Sequence, residues 1–443
     1  MNETTLAKAQ SIRAVIRYLE KFKNATVVIY LDENIIDSQL FSSHIRDIAL
    51  LHHSGLKVVI IPGAKKRIDE VLTQAGINWS YKNNIRVTDE DAIPYVKMAA
   101  FDVSNNVMTK LAANNINALI GNWVRARSKG IIDGFDFANA GEIDRLDVEA
   151  LNKVLDQGFI PIFPCIGWSS VGKPYNISSI SLAQQVAINL KADKLFYVME
   201  DGNISSDEYK IPEGVAFSDD KNVAALNLEQ LEQFTSINDL SKNEKTSRIA
   251  LLLEKAKEAC EKGVTRVHIV DGKIDGVLPC EIFSDLGLGT MIYTSNYGKI
   301  RSAEQKDIPG MLRVMAPFIE EGKLLPRTSD SISEKLGDYI VYEVDGGIHG
   351  VSALHFYDDN QAEIAAVAVE EKFSNMGIGP EMIKFLINRS KAKNADSVFI
   401  LTTQAADWFE KIGFRADKID TLPEARKALW NPKRNSKLFR LNF

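Results

Sequence analysis

The sequence predicts a two-domain α/β protein: a three-layer domain with a mainly parallel sheet over residues 1–292, then a smaller α+β domain over 298–443. Three observations predict it. The chain has 443 residues, more than one hydrophobic core usually supports. Through the first two thirds, short apolar β-branched runs alternate with stretches of helical spacing, the pattern of strands buried between two layers of helices. Around Tyr293–Lys299 (YTSNYGK) the composition turns polar, and a different order of elements follows.

Thr26–Leu31 (TVVIYL) and Lys57–Pro62 (KVVIIP) are the first two buried strands, and the helix expected between them over Gln39–Ser54 is closed by Gly55. Ala118–Gly121, Phe159–Ile166, Lys194–Met199 and Val264–Val270 repeat the strand pattern. Asp201–Glu244 is charged and weakly periodic, and a surface excursion is expected there. Beyond the break, Asp307–Glu321 has amphipathic helical spacing. Tyr339–Val344, Gly350–Phe356 and Glu363–Val369 are successive strands, the first two joined through Asp345-Gly346-Gly347, a hairpin signal. A helix is expected from Pro380 to about Lys391, then a strand at Ser397–Thr402 and a short helix before Gly413-Phe414.

Composition narrows the function. A net charge of −6 leaves nothing global to neutralise phosphates, so no nucleic-acid partner is expected. No apolar run reaches membrane-spanning length and the N-terminus lacks an apolar signal core, so a cytoplasmic protein is expected. The three cysteines and six histidines show no ligand spacing, so no metal is expected either.

The informative stretch is Ile364–Gly379 (IAAVAVEEKFSNMGIG). Its small residues let another chain approach the strand backbone. Gly377 and Gly379 then open a helix whose expected first residue, Pro380, lacks an N–H that would go unbonded there anyway. Exposed backbone N–H groups at such a helix start suit a pyrophosphate. A plain strand–turn–helix connection uses the same residues, so the glycines alone leave both readings open.

The strand Val398–Leu401, the Trp408-Phe409 helix and Lys411-Ile412-Gly413-Phe414 follow at matching distances, and residues 298–443 thereby resemble the GNAT acetyltransferase family. The resemblance implies a GNAT α+β fold and acetyl-CoA as co-substrate. The coenzyme would be held by the loop containing Ser374, Gly377 and Gly379 and by the backbone of Val367, Ala368 and Val369. Ser374 stands where that family prefers Arg or Gln, and Phe409 where many members have a tyrosine acid. The thiolate's proton source stays open between water and the Thr402 and Thr403 hydroxyls.

Leu324-Leu325-Pro326-Arg327, Leu401-Thr402-Thr403, Asp420-Thr421-Leu422-Pro423 and Arg434-Asn435-Ser436-Lys437 are together similar to the bacterial N-acetylglutamate synthase family of the arginine-inhibited type. This implies L-glutamate as acceptor, its carboxylates held by Arg327, Arg434 and Ser436. The chemistry agrees, because a dicarboxylate is best held by paired guanidinium forks. Asn360 replaces a lysine frequent in the family. Glu363, the one acid in an apolar strand, is the candidate base, acting through water; a strand-end carboxylate facing solvent is the other reading. A GNAT enzyme for another amine, or a non-catalytic arginine-binding regulator, stay open beside the main one.

Residues 1–292 resemble the amino-acid kinase fold in its acetylglutamate kinase branch, through Pro62-Gly63-Ala64, Asn83 to Asp89, Ile160–Gly167 and Arg266 to Thr290. Where an active kinase of that type has Lys-x-Gly-Gly, this chain has Tyr30-Leu31-Asp32-Glu33. Two added carboxylates beside a triphosphate cost several kcal/mol at an intermediate dielectric, so phosphoryl transfer is not expected. The resemblance instead implies a regulatory domain, with L-arginine as inhibitory effector at His268, Glu281, Gly287 and Gly289; a cap and turn serving packing alone would use the same residues. It also implies a homo-oligomer, a hexamer joined through the apolar spacing of Ala7–Phe22.

Overall fold

Strand β1 (Thr26–Leu31) is buried along nearly its whole length, and its side chains alternate between the two faces of a sheet. Val27, Ile29 and Leu31 join one buried cluster, while Val28 and Tyr30 join another. β2 (Lys57–Pro62) divides in the same way, Val58 and Ile60 against Val59 and Ile61. Such strands need helices on both sides. α1 (Phe41–His53), α2 (Lys65–Gln74) and α3 (Ile93–Ala112) complete the first cluster, α4 (Ser179–Asn189) and α5 (Glu244–Glu261) the second, and α6 (Val277–Phe283) adds to the first. The computed structural model describes all residues except 1–11, 13, 14, 17, 18, 21, 83, 84, 213, 214, 219, 220, 284–286, 295–297 and 345. The chain divides into two compact units, Met1–Ser295 and Asn296–Phe443.

The sheet of the first unit continues through β3 (Ala118–Ile120), β4 (Ile160–Ile162), β5 (Lys194–Met199), β6 (Ala216–Phe217), β7 (Val223–Asn227), β8 (Arg266–Asp271) and β9 (Thr290–Tyr293). The order across it is β6-β7-β9-β8-β5-β1-β2-β4-β3, parallel except at β8/β9 and β6/β7. Residues 201–244 therefore correct the expected surface excursion. They include β6, the buried strand β7 beside β9, and a helix at Leu228–Ile237. The apolar run of β7 is only Val223 to Leu226, flanked by Asn222 and Asn227, too short for its periodicity to stand out. Phe159–Ile166 also divides, into β4 and a strand at Ile166–Trp168 that belongs to a second, four-stranded sheet.

The second unit holds β10 (Lys299–Ser302), α7 (Ile308–Glu320), β11 (Tyr339–Val344), β12 (Gly347–Phe356), β13 (Gln361–Val369), α8 (Ile378–Ala392), β14 (Ser397–Thr402), α9 (Ala406–Ile412), β15 (Arg415–Asp417), the short α10 (Glu424–Lys427) and β16 (Lys437–Asn442). Its sheet runs β10-β11-β12-β13-β14-β16-β15. Val344 pairs with Gly347 across the expected hairpin, and Gly346 takes φ 79°, the left-handed turn conformation; Asp345 lies outside the described residues. α7 covers one face through Ile308, Met311 and Val314 against Val351, Ala353, Ala366 and Ala368. On the opposite face Met382 of α8 lies directly over Gly350, where a Cβ would stand 2.8 Å from its sulfur. α8 begins at Ile378, two residues before the expected Pro380.

Candidate active site

The site is built on a fork in the second sheet. β13 and β14 run parallel and pair only as far as Glu363 and Phe399. Beyond that point β13 keeps its partners on β12 alone, while Ile400 to Thr402 pair with β16. Among the described pairings, the edge of Ile364–Val369 that faces β14 thus has unclaimed backbone N–H and C=O groups, a template for an extended ligand rich in amides. A bulge widens the opening: the register with β12 shifts between Val351 and Ala353, and Ala366 takes φ 55°. Val367, Ala368 and Val369 all lie on this edge.

The start of α8 follows in sequence. Gly377 is its N-cap at φ 72°, makes no side-chain cap, and has open space where a Cβ would be. The first-turn N–H groups of Ile378 and Gly379 have no partner within the helix, and the positive end of a helix of this length favours an anion. Gly379 also serves packing, because a Cβ there would lie 3.0 Å from the Trp408 ring of α9. Ser374 is exposed and its hydroxyl donates to the Glu371 carbonyl at 2.7 Å, so it caps its own turn. That turn is braced from behind: Glu370 is paired with Arg313 at 2.8 Å and with His349 at 2.9 Å.

Glu363 stands at the vertex of the fork and is buried, which removes the solvent-facing reading. Its Oε2 accepts from Arg426 Nε of α10 at 2.7 Å and from the Tyr357 hydroxyl at 2.8 Å. Burial, and then the carboxylate, raise the Tyr357 phenol above its ordinary range. Burial alone would lower Arg426, but the hydrogen bond to Glu363 and the charges of Glu363 and Tyr357 together hold it above its usual value. Neither partner was foreseen. Tyr357 lies six residues from Glu363 across a hairpin, and a hairpin reading could have found it. Arg426 is 63 residues away and carries no spacing signal.

The C-terminal arginine reaches the segment that carries the other one. Arg434 Nη2 donates to the carbonyls of Gly322 at 3.1 Å and Lys323 at 3.3 Å, and Arg327 Nη1 to that of Leu325 at 3.3 Å. Ser436 lies immediately before β16. Asn360 occupies the β12–β13 turn at φ 56°, a conformation asparagine tolerates better than lysine. The Thr402 hydroxyl accepts from the Ala405 N–H at 3.0 Å and keeps its own proton to donate. Phe409 is core, packed edge-on against Trp408 and Phe414.

In the first unit all four expected effector residues meet. His268, stacked on Phe196 at 4.6 Å, shares Nδ1 with Glu281 Oε1 at 2.6 Å, and Glu281 Oε2 accepts from the Gly289 N–H at 2.9 Å. A Cβ on Gly287 would collide with the same carboxylate. Burial pushes the His268 imidazole down to about 4, so it is neutral and its Nδ1 carries the hydrogen toward Glu281. Burial alone would raise Glu281, yet the bonds from His268 and Gly289 hold it below the ordinary carboxylate range. Each Glu281 oxygen thus already accepts one hydrogen bond within the turn. His268 Nε2 is buried and finds no partner among the described residues.

At the end of β1, buried Asp32 caps the next turn by accepting from the Asn34 N–H and is paired with Arg248. Arg248 also lies 3.5 Å from Glu33, whose carboxylate takes the Tyr30 hydroxyl and presses on Gly63. Burial, followed by Glu33, pushes the Asp32 carboxyl up to about 6.

Comparison with known proteins places these features in a family. Residues 25–271 match the Amino acid kinase family and residues 335–416 the Acetyltransferase (GNAT) domain. The chain is 34% identical to an amino-acid acetyltransferase of Vibrio vulnificus, over 100% of both chains. It is also similar to the crystal structure of N-acetylglutamate synthase from Neisseria gonorrhoeae complexed with coenzyme A and L-arginine, with TM-score 0.77, 27% identity and 98% and 99% of the two chains covered. The same synthase complexed with coenzyme A and N-acetyl-glutamate matches with TM-score 0.60 and 28% identity over the same shares. With a GNAT acetyltransferase domain behind an amino-acid-kinase domain, and identity to these enzymes along its whole length, the chain belongs to the amino-acid acetyltransferase family.

Proposed function

We propose that this enzyme transfers the acetyl group of acetyl-CoA to the α-amine of L-glutamate, the first step of arginine biosynthesis, and that L-arginine inhibits it. The observation that carries the reading is the β13–β14 fork, with a buried carboxylate at its vertex and a glycine-opened helix after it. Acetyl-CoA supplies an activated thioester carbonyl. The free edge at Val367, Ala368 and Val369 binds the pantetheine amides, and the N–H groups of Ile378 and Gly379, with Gly377 leaving room, bind the pyrophosphate. Ser374 adds to that loop through its turn rather than through charge. Arg327, Arg434 and Ser436 hold the glutamate carboxylates, the guanidinium groups exchanging their carbonyl partners for the ligand. Glu363 takes the proton of the attacking amine, directly or through one water, as the C–N bond forms. The C–S electron pair leaves with the thiolate, which takes its proton from Thr402 or water.

In the first unit, Asp32, Glu33 and Arg248 fill the turn where a kinase would hold phosphate, and the unit serves as the arginine sensor. Backbone groups of Gly287–Gly289 and the bare Nε2 of His268 offer the effector its partners, while Glu281 keeps the turn in shape. Three cysteines far apart in the sequence fit a reducing cytoplasm better than a disulfide framework. Most of Ala7–Phe22 lies outside the described residues, but Ile12 and Ile16 are exposed there, as an oligomer helix requires. The test is an acetylation assay with acetyl-CoA and a panel of amino acids, with and without L-arginine. Glutamate should be the preferred acceptor and arginine should lower the rate; another amine preferred over glutamate would overturn the assignment.

A further inference from the structure

Glu363 is held by more than its strand. Arg426 Nε and the Tyr357 hydroxyl both bond Oε2, and among the described residues no hydrogen bond reaches Oε1. Both partners are themselves anchored. Tyr357 lies against Phe399, the strand partner of Glu363, at 5.9 Å between ring centroids. Leu422, just before α10, is buried with Phe399 and Leu438 in the same small cluster that Tyr357 joins. A further polar residue, His355, stands opposite Glu363 on β12 and is engaged with Asp338 at 2.7 Å. A carboxylate whose Oε2 already accepts two hydrogen bonds, from partners locked by packing, has only Oε1 left to offer.

We propose that Tyr357 and Arg426 are positioning residues that fix the Glu363 carboxylate through Oε2, so that Oε1 is the oxygen that takes the proton from the amine. This rests on the reading of Glu363 as base. A near-attack arrangement depends on such orientation, and small misplacements are costly in rate. The groups act through Glu363, so their removal lowers the chemical step without weakening either substrate.

A double-mutant cycle on the full-length enzyme tests this. Arg426→Met should lower kcat about 10-fold and Tyr357→Phe a few-fold, with KM for glutamate and acetyl-CoA unchanged, and Arg426→Lys should recover part of the loss. In a Glu363→Gln background neither change should lower kcat further, because groups acting through one side chain are not additive. If Glu363→Gln collapses kcat while Arg426→Met and Tyr357→Phe still cost the same on top of it, the positioning proposal is wrong and the base reading survives. If Glu363→Gln leaves kcat unchanged, both fall. Raised KM without a kcat effect would make these residues substrate contacts and also overturn the proposal. Tyr357→Phe deletes only a hydroxyl and keeps the test decisive if Arg426→Met does not fold.

Discussion

Replacing Arg248 with methionine probes the ion pair that closes the turn after β1. Asp32 is fully buried, and its principal cation is Arg248, which keeps 31% of its side chain exposed. Removing one partner of a buried pair leaves an uncompensated charge, typically costing 3–5 kcal/mol; the part-exposed arginine puts this case at the low end, about 3 kcal/mol. For a unit of this size that is roughly 6–10 °C in the melting of the first unit. The pH dependence carries a definite sign. The folded carboxyl of Asp32 lies at about 6, above the roughly 3.9 of an unfolded aspartate. Its contribution is therefore favourable below pH 4 and is lost as pH rises through 6, a difference of about 3 kcal/mol. In the variant the folded carboxyl binds its proton more tightly still. Scanning calorimetry of the full chain at pH 7.5 and pH 5 should show a large deficit for Arg248→Met at pH 7.5 that narrows at pH 5. An equal deficit at both values, or none, would refute the charge argument and reopen the turn as a simple packed loop.

Gly377→Val should raise KM for acetyl-CoA by about 10-fold or more with the fold intact, since the left-handed φ of 72° costs a branched residue roughly 1–2 kcal/mol and its side chain enters the space kept for the anion; steady-state kinetics and circular dichroism check it. Gly287→Ala forces its Cβ into the Glu281 carboxylate, so arginine inhibition should weaken markedly in a dose–response assay while the rate without arginine is retained. Arg327→Lys and Arg434→Lys keep the charge but lose the planar fork, and KM for glutamate should rise roughly 10–100-fold, as expected for losing one charge-assisted hydrogen bond.

The layers of the first unit could be read from residues such as Val27 to Leu31, because a strand buried on both faces has to be apolar throughout and says so locally. The same holds for the order of elements from Tyr339 to Gly413. What local patterns do not carry is pairing over distance. The fork exists because β14 parts from β13 after Phe399 while staying paired with β16 along its whole length, and the sequence of Ile364–Val369 reads the same whether or not that edge is covered. β7 was hidden for a related reason: five residues join the sheet only because β9, more than sixty residues later, lies beside them. Glu363 was legible as an acid among apolar neighbours, whereas Arg426 was not, since nothing near it marks a partner on another strand. Glu281 was legible as important, but its bonds to His268 and Gly289 depend on a turn closing over it.

Hydrogen–deuterium exchange with and without coenzyme A tests the cradle most directly. Amides of Val367 to Val369 and of Ile378 and Gly379 are expected to exchange more slowly when the coenzyme binds, with little change in Lys57–Pro62 of the first sheet. Tight binding that left both segments exchanging at their free rates would contradict the claim that the open strand edge and the glycine-capped helix hold the acetyl donor.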